Sequence, residues 1–130
     1  MKNIYAISRI SIAVIFLYHG VVPKLLFANS QEVMMNEALM PFVPEKVALI
    51  SSGVAEVIYA VLLIVFYRSK KLLYPAIGFA TLVTPALLIT VPELFKNAFN
   101  PFSINLALVC LCVINLKASA DQSPTAEIPE

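Results

Sequence analysis

Charge is what this chain has least of. Of 130 residues, 13% are charged and 60% hydrophobic, and the mean hydropathy is +0.87. A soluble domain carries roughly 25% charged and 45–50% apolar residues, so the composition excludes an ordinary soluble domain and indicates a membrane protein. The net charge of +1 gives no footing for a nucleic-acid partner. There is one histidine, which excludes a bis-histidine haem within one copy. One His, one intramembrane Glu and no suitably placed thiol are too few ligands for a metal. Tryptophan is absent, so the interfacial aromatic role passes to tyrosine and phenylalanine. The two cysteines, Cys110 and Cys112, point about 200° apart on a helix and cannot bridge. They read as small packing residues and carry no information about redox compartment. No nucleotide loop, catalytic triad or haem-attachment motif is present.

What is there is four apolar segments, predicted as an all-α, four-helix transmembrane bundle over residues 4–27, 47–67, 72–91 and 102–116. Each approaches the roughly 20 residues needed to cross a ~30 Å hydrocarbon core. The first resembles a signal peptide in its basic start, Lys2 and Arg9. However, Pro23-Lys24 follows the apolar run and Leu25-Leu26-Phe27 resumes it, so the segment reads as retained. Between segments one and two, Met34, Met35, Leu39 and Met40 recur at helical spacing. They predict a short interfacial helix ended by Pro41 and Pro44. Segment three carries Pro75 and Pro85, tolerated in membrane helices when neighbours satisfy the freed carbonyl. Residues 1–117 form the transmembrane domain in this reading, and residues 118–130 a disordered polar tail. Basic residues set the orientation: Lys2, Arg9, Arg68, Lys70, Lys71 and Lys117 fall on one side, and Lys24, Lys46 and Lys96 on the other. That bias predicts both termini inside, in a multi-pass protein of the cell (inner) membrane.

On a helical wheel each segment has a small or polar face, which belongs against other helices. In segment one this face holds Ser8, Arg9, Ala13, Phe16, His19, Gly20, Pro23 and Lys24. In segment two it holds Ser52, Gly53, Glu56, Tyr59 and Ala60. Segment three contributes Tyr74, Gly78, Thr81 and Pro85, and segment four Asn105, Cys112 and Asn115. Ile50, Val54, Ile58 and Val61 are left to meet lipid or a second copy of the chain. His19 and Glu56 lie about 12 and 13.5 Å below the outer boundary at 1.5 Å per residue. An unpaired Glu56 would cost about 3 kcal/mol. The matched depth predicts a His19–Glu56 pair, with Lys24 snorkelling to the outer surface and Arg9 to the inner one. Such a pair either fastens two helices or forms a ligand or proton-handling site. For the second case the candidate ligand-binding residues are His19, Glu56, Lys24, Tyr59 and Asn105. Arg9, Gly20, Gly53 and Pro85 are read as packing residues.

Arg9-Ile10-Ser11, followed by Leu17-Tyr18-His19-Gly20-Val21-Val22-Pro23-Lys24-Leu25-Leu26-Phe27, resembles the opening of the DoxX-like membrane family. Gly53-Val54-Ala55-Glu56 resembles the start of that family's second helix. Asn100-Pro101-Phe102-Ser103-Ile104-Asn105-Leu106 resembles the lead into its fourth. The resemblance covers residues 5–116 and implies a four-helix integral membrane protein. The wider family includes a subunit of an archaeal thiosulfate:quinone oxidoreductase and methylamine-utilisation membrane proteins. Some relatives are fused to soluble NAD(P)-binding domains. The resemblance therefore implies a membrane subunit of a quinone-linked redox system, with quinone as the cofactor and a redox protein as partner. This chain lacks a loop Cys-x-x-Cys, which removes the footing for thiol redox chemistry. Two other readings stand beside it: a carrier for a small polar solute, and a non-catalytic membrane anchor for a partner protein.

Overall fold

A computed structural model describes residues 2–120. Helix α1 (Lys2–His19) runs directly into a π-helical segment (Gly20–Leu26). The chain then forms α2 (Ser30–Leu39), α3 (Glu45–Val65), a 3₁₀ turn (Lys70–Leu72) leading into α4 (Leu73–Thr90), a second 3₁₀ turn (Pro92–Lys96) and α5 (Pro101–Ala120). No strand occurs among the described residues. Four stretches are long and apolar enough to cross a membrane: Asn3–Leu26, Glu45–Val65, Lys70–Thr90 and Pro101–Ala120. At 1.5 Å per residue, each reaches about 30 Å or more.

Local chemistry sets the helix ends. The Asn29 side chain accepts from the Gln31 N–H at 2.9 Å and caps α2. Helix α2 stops where Pro41 removes the next donor. Asn100 and Ser103 form a reciprocal cap before α5, the Ser103 N–H reaching Asn100 Oδ1 at 3.1 Å, with Pro101 at the first helical position. Helix α5 continues past the expected end at residue 116, through Lys117 to Ala120. A cation in the last turn favours the helix dipole, so Lys117 does not end the helix. Ala118 is buried, which ties that extra turn to the bundle. Residues 118–120, expected to begin a disordered polar tail, are helical, and the rest of that expected tail, residues 121–130, lies outside the described residues.

Helix α1 packs against α3 and α5, and α4 packs against α5. Helix α2 lies across one end of the bundle, touching α3, α4 and the π-helical segment. The core joins Ile12, Ala13, Leu63, Leu73, Ala76, Ala80, Leu108 and Cys112. The face of α3 assigned outward, with Ile50, Val54, Ile58 and Val61, is exposed. The assignment for α4 is corrected: Tyr74, Thr81 and Pro85 are exposed, while Leu73, Ala76, Ala80 and Leu87 point inward. Pro85 is thus not a packing residue between helices. Ala76 and Ala80, four residues apart, bring α4 close to its neighbours. Thr81 bonds the Ile77 carbonyl of its own helix at 2.8 Å and can face lipid at little cost.

Gly20 and Gly53 face each other where the first span crosses α3. A Cβ on Gly20 would lie 2.6 Å from the Gly53 carbonyl oxygen, and one on Gly53 would lie 3.0 Å from the Gly20 carbonyl oxygen. The crossing therefore admits no side chain at either position. Gly78 has open space around it. Gly20→Ala should therefore destabilise the folded protein by about 1–3 kcal/mol. Gly78→Ala should be neutral or stabilising by up to ~1 kcal/mol. Unfolding of both variants in detergent micelles measures the contrast, and equal effects would contradict the crossing.

Candidate functional site

Four elements bring four polar side chains together at the α2 end of the bundle. The π-helical segment carries Lys24, α3 carries Glu56 and α2 carries Glu32, while His19 closes α1. Lys24 Nζ lies 2.5 Å from Glu56 Oε1 and 3.6 Å from Glu32 Oε2. His19 Nδ1 lies 3.7 Å from Glu32 Oε1. The Lys24 and Glu32 side chains are 8% and 10% exposed, which leaves little water between them. Glu56 Oε2 is buried and has no donor.

This geometry corrects the pairing expected from depth. Glu56 takes Lys24, and His19 takes Glu32. Among the described residues there is no His19–Glu56 ion pair. Lys24 does not snorkel to the surface, because α2 lies over that end of the bundle and supplies a carboxylate nearer than water. The wider π turn also changes the phase of the chain after Gly20. Gly20 and Lys24, four residues apart, are both buried. A lysine between two carboxylates gains charge-assisted hydrogen bonding that an exposed lysine would not need.

Glu32 is the residue that sequence reasoning missed. It sits on the short connecting helix, three positions after the Asn29 cap, where an acid is favoured for the helix dipole alone. A usable signal was present: Glu32 and Asn36 are four apart and share one face. Both are buried, and the Asn36 side chain donates to the Glu32 carbonyl at 2.7 Å.

Tyr59 and Asn105 are placed elsewhere. The Tyr59 hydroxyl donates to the Leu72 carbonyl, and its ring meets Phe16 edge-on, with centroids 4.7 Å apart. Asn105 Nδ2 donates to Thr84 Oγ1 at 2.9 Å and joins α5 to α4. Neither hydrogen-bonds to the array. Two surface hollows also lie apart from it, one on an apolar face of α3 and one between α1 and α3.

Arg9 is fully buried at the opposite end and does not snorkel. Its Nε donates to the Leu63 carbonyl at 3.1 Å. Nη2 donates to Phe66 at 3.0 Å and to Ser69 at 2.8 Å. These carbonyls close α3 and the following turn, which lack helical partners. Asn115 Nδ2 adds bonds to the Tyr5 carbonyl and Ser8 Oγ, both at 2.9 Å. Between this cluster and the array lies the apolar core around Ile12, Ala13, Leu63 and Leu108.

Removing one partner of the Lys24–Glu56 pair strands a buried charge. Lys24→Met or Glu56→Ala alone should cost about 3 kcal/mol. The double variant should cost less than the sum, with a coupling of about 1–2 kcal/mol. A cycle on His19 and Glu56 should give a smaller coupling. Additive Lys24 and Glu56 effects in micelle unfolding would contradict the pairing.

The family model for the DoxX-like family matches residues 13–113. No curated protein and no solved structure matches the chain significantly. The matched span contains the Gly20–Gly53 crossing, all four residues of the array and the Asn100–Ser103 cap. By that match the chain belongs to the DoxX-like family, and its four apolar helices make it a small membrane protein.

Proposed function

We propose that the protein is a membrane subunit of a quinone-linked redox system. It spans the cell membrane four times with both termini inside, and its His19–Glu32–Lys24–Glu56 array engages a quinone headgroup at the outer end. The observation that carries this reading is the position of His19. Its side chain is 30% exposed within the first apolar span while its Nδ1 faces Glu32. A lipid-soluble quinone reaches such an edge sideways through the bilayer, so no water-filled chamber is required.

Quinone reduction takes up two electrons and two protons. The array offers donors for the quinone oxygens in His19 and Lys24, and carboxylates that exchange protons in Glu32 and Glu56. Glu56 Oε2 is buried without a donor, so this carboxylate keeps an unused acceptor inside the array. The electrons would come from a partner redox protein. The apolar core between the array and the Arg9 cluster weighs against the carrier reading, which needs a polar path across the bundle.

A second reading, the non-catalytic anchor, is favoured by one observation. Lys24 is already placed between two carboxylates, so the array largely satisfies itself. The two readings separate on one experiment. Extraction of the protein in mild detergent should retain quinone, and His19→Ala should reduce retention at least tenfold. Absence of quinone, or retention unchanged in both His19→Ala and Glu32→Ala, would replace the redox reading with the anchor.

Orientation is tested separately. Single cysteines introduced at Gln31 and Ser119, in a chain with Cys110 and Cys112 replaced by alanine, report the two sides. A membrane-impermeant maleimide should label the first from outside intact cells and not the second. Labelling at Ser119 from outside would overturn the orientation.

A further inference from the structure

We infer that the end of the bundle opposite α2 binds the headgroup of an anionic phospholipid, through the turn between α3 and α4. This turn carries Arg68, Lys70 and Lys71 in four consecutive positions. Arg68 and Lys71 are exposed and Lys70 is half-buried. The five acidic residues in the described part, Glu32, Glu37, Glu45, Glu56 and Glu93, belong to α2, the start and outer half of α3, and the 3₁₀ turn after α4. None of them lies in the turn or the helix ends beside it. The described part of the bundle is therefore polarised, with its carboxylates towards one end and, at the other, a basic turn that holds none of them.

The turn is also held in shape from within. Arg9 donates to the Phe66 and Ser69 carbonyls on either side of Arg68, and the Tyr5 hydroxyl donates to the Tyr67 carbonyl. The Ser69 N–H closes the turn on Phe66 at 2.9 Å. Buried Arg9 thus fixes the backbone that presents exposed Arg68 and Lys71 and half-buried Lys70, so little ordering remains when a ligand binds. Below the cations the surface is apolar and aromatic. Phe66 is 56% and Tyr74 60% exposed, and Tyr74 follows Lys71 by three positions, on the same side of the helix start. A tyrosine at that level suits the boundary between headgroup and acyl chain. Cations above an aromatic ring and an apolar face match an amphiphile with an anionic head. Each such cation near a membrane surface strengthens attraction to anionic lipid by roughly fivefold.

The test uses the full chain purified in dodecyl maltoside, with lipid binding followed by native mass spectrometry. Dioleoyl phosphatidylglycerol should bind at least tenfold more tightly than dioleoyl phosphatidylcholine, and the preference should fall as NaCl is raised. R68Q/K70Q/K71Q should remove the preference, while K46Q/K96Q at the other end should keep it. Should the triple variant misfold by circular dichroism, K71Q alone should weaken phosphatidylglycerol binding roughly fivefold. Equal binding of the two lipids by the unaltered chain would overturn the proposal. So would a preference that survives R68Q/K70Q/K71Q. Displacement of the lipid by equimolar inorganic phosphate would reduce the site to one for free anions and overturn it as well.

Discussion

The close approach of two backbones at Gly20 and Gly53 is the constraint from which the α2 end of the molecule follows. With any side chain at either position the first span would stand off from α3. Lys24 lies one turn beyond Gly20, and Glu56 three residues beyond Gly53. The separation of the helices at the glycines therefore sets the separation of the ammonium and the carboxylate. At 2.5 Å the pair is in direct contact, and in a medium without water that contact is what makes both charges tolerable. Gly20 and Lys24, four residues apart in the π-helical segment that runs through Pro23, share one buried face.

The two polar layers solve one problem in different ways. At the α2 end, charges of both signs come from three separate elements and compensate one another. At the opposite end, Arg9 has no carboxylate and is instead surrounded by carbonyl oxygens where α3 ends. The C-terminus of a helix carries partial negative charge, so this is electrostatic compensation by backbone alone. The second solution also pins the turn after α3 to the first helix. Between the layers the core uses Ala13, Ala76, Ala80 and Cys112, small residues that let the helices approach closely.

Much of this was legible in the sequence because apolar length and helical phase are local properties. The four spans follow from runs of about 20 apolar residues, and the outward face of α3 follows from branched residues opposite Gly53 and Glu56. Helix α4 was misassigned for the same reason: it is apolar on every side, so a wheel offers no contrast, and Thr81 and Gly78 drew the inward face the wrong way. The pairing of Glu56 failed for a different reason. Depth along a straight helix gives a level, but it does not say that a turn will widen after His19 or that a connecting helix will fold back over the bundle. Glu32 belongs to a stretch whose apolar residues, Met34 and Leu39, suggest a membrane surface. Its inward face is the polar one.

That inversion explains why α2 stays on the bundle. A helix of ten residues has little stability of its own in water, and its exposed Met34 and Leu39 do not hold it to the protein. What it buries is Glu32 and Asn36. Glu32 reaches both Lys24 and His19, so one carboxylate ties the connecting helix to the first span at two points. Lys24 in turn ties the first span to α3 through Glu56. Removal of Glu32 would leave the Lys24–Glu56 pair intact but uncovered, with His19 facing no acid. The array is therefore asymmetric: Lys24 and Glu56 fasten the spans, whereas His19 and Glu32 govern whether that fastening is shielded from what lies beyond α2.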